Sequence, residues 1–399
     1  MLADRSALPV LVVGGGVGGV CTALALGRQG RRVRLLEQAN QIGAIGYGVQ
    51  IGPNVLPMLE RLGLAQAVLA KAYLPSEILL YELNTGEKLI EIPLRTPQFG
   101  RRYANSPYMA IHRVDFHELL LAACRAHPNI DLNQSTTVVA YRNAYDSVTA
   151  VTEDGRAIEG CALIAADGLR SRLRAQMHPQ DKPRETGYVA HRTILPMERA
   201  PEPARRRNGV TMWTGPGFHV IYYPLRDRSE LNVVVVVKLA PEMGSGGEAH
   251  REYLTRIMRC AQPEARDVIA AVNLARSWTI SDRNPVRRWA DGRVVLLGDA
   301  AHATLQSLAQ GAGMAIEDAV CLAELLRQVD GDEYPAAFQR FESMRLRRTA
   351  RVQLESRALW EMFHCADIDA EVRTAAYRAR SKEDFYRCLD WLWTAITPA

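Results

Sequence analysis

Six residues near the start of the chain restrict its possible folds more than any other feature. Pro9-Val10-Leu11-Val12-Val13 has the apolar, β-branched composition of a short strand, and Gly14-Gly15-Gly16-Val17-Gly18-Gly19 follows it directly. Ala23-Leu24-Ala25-Leu26 continues as a helix, and Val33-Arg34-Leu35-Leu36 returns as a second strand ending at Glu37. This is the strand, G-x-G-x-x-G turn, helix and strand of a dinucleotide-binding unit. Gly14 permits the tight turn, Gly16 lets backbone approach a pyrophosphate, and Gly19 lets helix and strand pack closely. Val17 opens a helix whose N-terminus offers free N–H groups and a positive dipole end to phosphates. Glu37 sits where a carboxylate accepts bonds from ribose hydroxyls.

With 399 residues the chain exceeds one ordinary core, so a large discontinuous domain or two intimate ones are expected. Hydrophobic content of 48% and charged content of 23% fit a soluble globular protein. The net charge of +5 is spread along the chain; it favours small anions mildly and does not argue for nucleic acid. Seven scattered cysteines without C-x-x-C spacing speak against a disulfide scaffold and a zinc site, and fit a reducing cytoplasm. His112 and His117 lack a third ligand, so no metal is expected. The first apolar run is too short to span a bilayer and lacks a basic leader, so neither a membrane span nor a signal peptide is expected.

Further along, Gly43-Ala44-Ile45-Gly46-Tyr47-Gly48-Val49-Gln50-Ile51-Gly52 lets backbone pass close to something flat or bulky, ahead of a helix through Leu56, Leu59 and Leu62. Ile78–Tyr81 and Lys88–Ile92 flank Asn84-Thr85-Gly86 as a hairpin. Met109–Arg113 leads into a helix, and Cys161–Ala166 is a buried strand ending at Asp167-Gly168. From about 186 to 284 the pattern is mostly strand, with Val210–Trp213 and Phe218–Tyr223 as an antiparallel pair and five consecutive valines, Val233–Val237, as a buried strand. The chain then returns with Val294–Leu297, Gly298-Asp299 and a helix from about Gly313, and ends in helices. The basic run Arg345, Arg347, Arg348 and Arg351 reads as a solvated helix face.

Three motifs occur in one order: Gly14–Gly19, Ala166-Asp167-Gly168-Leu169-Arg170-Ser171 and Gly298-Asp299-Ala300-Ala301-His302. Together they resemble the class A flavoprotein aromatic hydroxylases, over essentially the whole chain. The resemblance implies an α/β fold: a Rossmann-like FAD-binding domain of the glutathione-reductase type, an inserted, mostly antiparallel substrate sheet and a helical C-terminus. The boundaries it suggests are 1–185 for the first part of the FAD domain, with a substrate-domain hairpin near 78–107. Residues 186–284 would form the substrate domain, 285–365 the second FAD part and 366–399 a helical segment. It implies non-covalent FAD, reduced by NADH or NADPH and reacting with O2. By the same resemblance Glu37 would bind the adenosine ribose, Arg113 the pyrophosphate region and Asp299 the ribityl chain. Asp167 would serve FAD and the nicotinamide nucleotide, and Gln50, Gly311 and Gly313 are further cofactor positions. No second G-x-G-x-x-G exists, in keeping with a reductant that docks transiently. A homodimer is also compatible with the family, though periodicity does not demand one.

Gly215-Pro216-Gly217-Phe218-His219-Val220-Ile221-Tyr222-Tyr223, Gln306 and the tail Asp390-Trp391-Leu392-Trp393 look most like the 3-hydroxybenzoate 6-hydroxylase branch. The salicylate and 6-hydroxynicotinate branches are neighbours. Many relatives carry proline at the positions of Ala303 and Gln306. Electrophilic oxygen transfer needs an activated ring, and a neutral imidazole is suited to take a phenolic proton. His219, Ile221 and Tyr223 face one side of a strand, the outer two about 13 Å apart, enough to bracket one benzene ring. His219 is the expected base, Gln306 and Tyr223 orient the ring, and Tyr108 is the expected holder of the substrate carboxylate. The expected reaction is 3-hydroxybenzoate to 2,5-dihydroxybenzoate; salicylate 1-hydroxylation, 6-hydroxynicotinate 3-hydroxylation, a flavin oxidase or reductase that inserts no oxygen and a flavin-bound redox sensor are the alternatives.

Overall fold

The computed structural model describes residues 8–41, 46–239, 247–329 and 333–397. Gly43-Ala44-Ile45 and the glycine-rich stretch Gly244-Ser245-Gly246 of the sequence lie outside them. Short apolar runs that could be strands or buried helices resolve here as strands. Val10–Val13, Val33–Leu36, Ala162–Ala165 and Val294–Leu296 lie in one six-stranded sheet with parallel Ile130–Asn133 at one edge and antiparallel Ala290–Asp291 at the other. Helices cover parallel sheets on both faces, so such strands read as unbroken hydrophobic stretches. All of Val10–Val13 and Ala162–Ala165 are buried. Helices Val17–Arg28 and Gly311–Leu326 pack against one another beside this sheet.

A second, seven-stranded sheet runs in the order Trp278–Asp282, Arg184–Pro196, Glu230–Lys238, Phe218–Leu225, Val210–Gly215, Glu77–Glu82, Lys88–Pro93. The hairpin Glu77–Pro93 enters it by pairing Glu77–Glu82 parallel to Val210–Gly215. Two-residue alternation explains how this sheet can be buried on both faces. Phe218, Val220, Tyr222, Val233, Val235 and Val237 turn to a cluster completed by Leu254, Ala265, Val268 and Ile269. Those last four belong to helices Gly247–Met258 and Pro263–Ala270, which the strand-dominated reading of this stretch did not anticipate. The intervening residues, His219, Ile221, Tyr223 and Val234, turn the other way and line a cavity.

The chain ends in a 31-residue helix, Tyr334–His364, followed by Asp367–Arg378 and Lys382–Trp393, the last opened by a Ser381–Asp384 capping box. The arginine run on the long helix is not a solvated face. Arg345 is buried, ion-paired with Glu317 at 2.8 Å and donating to Asp318 at 2.7 Å, and Arg348 donates to both oxygens of Glu317 at 2.8 Å. Glu317 and Asp318 are adjacent on Gly311–Leu326, and residues three apart on the facing helix reach them together. Arg347 and Arg351 remain exposed, Arg351 lying 3.8 Å over the Trp391 ring. Among the described residues no helix is long and apolar enough to cross a membrane.

Candidate active site

The glycine turn is shaped by collisions that only glycine avoids. Gly14 has φ +106°, and a Cβ there would stand 2.3 Å from the Ala166 carbonyl oxygen. At Gly19 a Cβ would lie 1.9 Å from the Gly14 oxygen, so helix and strand touch backbone to backbone. Gly16 differs: nothing lies within 4 Å of where its Cβ would be, and the residue lines the cavity with Val17. Glu37 accepts from Gly15 N at 2.6 Å and Ala39 N at 2.8 Å, which anchors the carboxylate at the strand end beside the turn.

Opposite this turn, Gly298 adopts φ +61° and its N–H donates to Asp318 Oδ2 at 3.1 Å. The same oxygen meets His302 Nε2 at 2.5 Å, so His302 serves the loop rather than the cavity. Burial would raise the Asp318 pKa, but the His302 and Arg345 charges bring it down to about 2. This ionised, fully buried carboxylate fixes the turn that presents Asp299 to the cavity, whose walls also include Arg113, Gln50 and Gly311.

The cavity encloses about 1020 Å³ and continues from the glycines to the substrate sheet. His219 Nδ1 bonds His364 Nε2 at 2.7 Å, while the ring also borders the cavity. Burial, helped by His364, holds the His219 pKa well below its ordinary value, so the ring stays neutral. Burial pushes the Tyr223 phenol up to about 12 against the opposing charge of Arg192. Arg192, on the strand Arg184–Pro196, donates from Nη2 to Gln306 Oε1 at 2.9 Å. Its guanidinium lies 5.9 Å over the Tyr47 ring, and no carboxylate among the described residues neutralises it.

Residues 7–356 match the FAD binding domain family. The chain belongs to the FAD-dependent aromatic hydroxylases of that family. The 3-hydroxybenzoate 6-hydroxylase of Polaromonas naphthalenivorans is 38% identical over 387 residues, 97% of this chain and 96% of that protein. The enzyme of the same name from Klebsiella oxytoca is 36% identical over 384 residues, 96% of each chain. Klebsiella pneumoniae HpxO, solved with FAD and uric acid, shares the fold at a TM-score of 0.85, with 24% identity over 98% of this chain and 97% of that one.

The chain's own residues fit the hydroxylases' cofactor. Gly16 and Gly168 leave open space where a Cβ would stand, and at Gly311 only the Thr304 methyl comes within 3.9 Å. Gln310 Nε2 is buried without a partner on a residue of the same wall. Five expected cofactor positions, Gly14, Gly19, Glu37, Asp167 and Gly313, do not border the cavity. Asp167 does not border the cavity; its carboxylate turns into its own loop, accepting from Leu173 N at 3.3 Å, and burial raises its pKa. Gly313 is a packing position, where a Cβ would stand 2.8 Å from Gln310 Oε1 and 3.1 Å from Val55 Cγ2. Tyr108 borders the cavity, but its hydroxyl donates to Gln50 Oε1 at 2.8 Å. Arg192 and His364 escaped the sequence reading. A charged residue amid Tyr188-Val189-Ala190-His191-Arg192-Thr193-Ile194 could have marked the first; nothing local marks the second.

Proposed function

We propose that this hydroxylase converts 3-hydroxybenzoate to 2,5-dihydroxybenzoate, with O2 and with NADH as the transient reductant. The observation that carries the reading is Arg192, a desolvated guanidinium without a carboxylate partner among the described residues, held by Gln306 on the same cavity as His219 and Tyr223. A buried cation of this kind calls for an anion, and Arg matches a carboxylate through two parallel N–H bonds. Bound FAD supplies the electrons taken from the reductant and an electrophilic oxygen. His219, neutral and cavity-facing, receives the phenolic proton at Nε2, which raises electron density ortho and para to the ring oxygen. Tyr223 and Gln306 orient the ring, and the C-terminal Phe385, Leu389 and Trp393 help exclude water from the same cavity. Glu37, Arg113 and Asp299 are the proposed polar contacts to the cofactor.

A panel of hydroxybenzoates and hydroxynicotinates, scored for stimulated NADH consumption and for hydroxylated product, tests this. The expected outcome is tight coupling with 3-hydroxybenzoate and a single para product. Preference for salicylate with CO2 release, or for 6-hydroxynicotinate, would transfer the assignment to that substrate. NADH oxidation indifferent to every aromatic acid, with no oxygen in any product, would end it.

A further inference from the structure

We propose that His364, the last residue of the long helix, is the positioning residue of the base, holding His219 in the tautomer whose Nε2 can take the phenolic proton. This rests on His219 acting as proposed above. The two rings are joined by a 2.7 Å hydrogen bond between His219 Nδ1 and His364 Nε2, and lie 4.9 Å apart at 27°. Trp360 stands edge-on to both, at 5.4 Å from His219 and 4.6 Å from His364, and Tyr188 lies 4.6 Å from His364. The strand turn and the helix end are tied together independently of the rings. Gly217 N donates to the His364 carbonyl at 3.1 Å, and the Thr214 hydroxyl donates to the Phe363 carbonyl.

Two neutral imidazoles sharing one hydrogen bond hold one proton between them, and the ring that donates has its other nitrogen free to accept. For His219 to receive a proton at Nε2, its Nδ1 must carry hydrogen and donate. His364 Nε2 must then accept, which requires the His364 proton on Nδ1. That nitrogen is buried without a hydrogen-bond partner, near the Trp360 backbone one turn earlier. A backbone carbonyl only accepts, so its nearness favours hydrogen on Nδ1 of His364 and leaves Nε2 to accept from His219. The bond between the rings thereby couples their tautomers across two elements, as an orienting acceptor does for a catalytic histidine generally.

The covalent change at the pair is one proton. The substrate O–H bond breaks and an Nε2–H bond forms; the reverse transfer restores the hydroxyl when the ring rearomatises. While His219 is cationic, the Nδ1–H bond to His364 becomes charge-assisted and stronger. Few charged or titratable groups face the pair: Lys238 acts on His364 from the neighbouring strand, and Tyr188 stacks on it with Glu361 beyond. Burial brings the His364 pKa down to about 3 and His219 well below its ordinary value, so both rings are neutral at pH 7.

The test compares the holoenzyme with His364→Met, which keeps bulk and lacks an acceptor in that place, and His364→Gln, whose Oε1 can stand in for Nε2. Two quantities are read across pH: kcat with 3-hydroxybenzoate, and, without reductant, ionisation of the bound phenol by ultraviolet difference spectra. In His364→Met, kcat should fall about 100-fold at neutral pH with KM and flavin content retained, the size of a lost general base. The loss should shrink as pH approaches the phenol's own ionisation, and the bound phenol should ionise only at higher pH. His364→Gln should keep most of the activity and the original profile. Should the methionine variant fail to fold, His364→Asn replaces it, since its shorter amide cannot reach Nδ1 of His219. Unchanged phenol ionisation in the acceptor-free variant, or equal losses in all variants unrelieved by high pH, would overturn the role of His364. A wild type that ionises the bound phenol yet hydroxylates none of the panel would overturn the substrate reading instead.

Discussion

Where Gly16 and Gly18 meet the cofactor side of the cavity, the wall is backbone, with Gly14 and Gly19 packed behind it. Across from it, His219, Tyr223, Arg192 and Gln306 build the wall from side chains on two strands and a loop. The packing behind that wall admits almost no substitution, because an atom added at Gly14 or Gly19 meets backbone, whereas one added at Gly16 enters the space the cofactor needs. A side-chain wall can be rewritten residue by residue without touching the fold, which suits a family whose members oxidise different rings on one frame. The two walls also handle charge differently. Behind the Gly298 turn, Asp318 and Glu317 are fully paired with Arg345, Arg348 and His302. On the substrate side Arg192 meets, among the described residues, a neutral amide and an aromatic face and no carboxylate.

The largest expected effect tests the paired side. Arg345→Met would leave Asp318 and part of Glu317 buried without their cation. Breaking such a pair costs about 3–5 kcal/mol, most of it the penalty for the charge left behind. Denaturant unfolding should show that loss, accompanied by weaker flavin retention, because Asp318 also holds the Gly298 N–H. A variant as stable as wild type would mean the network is not rigidly coupled to the turn. Next in size is the contrast within the glycine turn. Gly19→Ala forces a methyl to 1.9 Å from the Gly14 oxygen and should destabilise the fold by about 1–3 kcal/mol or more. Gly16→Ala meets open space, so its unfolding curve should be unchanged while FAD binds more weakly. Equal unfolding penalties at both positions would refute the division into a packing glycine and a cofactor glycine.

This contrast also explains what could be read from the amino-acid order. Gly14, Gly16 and Gly19 announce themselves because backbone geometry is local, and six residues suffice to specify it. Two-residue alternation along Phe218–Tyr223 likewise put His219 and Tyr223 on one face, and five valines in a row marked Val233–Val237 as a buried strand. The arginine run was misread because burial of Arg345 depends on Glu317 and Asp318, almost thirty residues away on another helix. Helical spacing alone cannot tell a solvated face from a paired one. His364 was invisible for the same reason: its partner lies 145 residues earlier, and only tertiary packing brings the rings together. Asp167 and Gly313 sat in recognisable motifs, yet their backbone context turns one into its loop and the other into helix packing.

The smallest expected effects separate two candidates for the carboxylate on the side-chain wall. Tyr108 was the expected anchor, but its hydroxyl is already committed to Gln50 within an apolar cluster that includes Trp393, 5.6 Å away. Tyr108→Phe removes one neutral hydrogen bond, so the expected cost is about 1 kcal/mol of stability with little change in substrate affinity. Arg192→Met removes a charge-assisted partner, which is worth about 1.5–3 kcal/mol in binding a carboxylate, or a factor of about 10 to 150. The discriminating comparison is 3-hydroxybenzoate against 3-hydroxybenzamide, measured by perturbation of the flavin spectrum. Arg192→Met should weaken the acid and leave the amide almost unaffected, whereas Tyr108→Phe should treat the two alike. If Tyr108→Phe instead selectively weakens the acid, the anion sits beside the apolar cluster, and Arg192 must be neutralised by some other group when the cavity is filled.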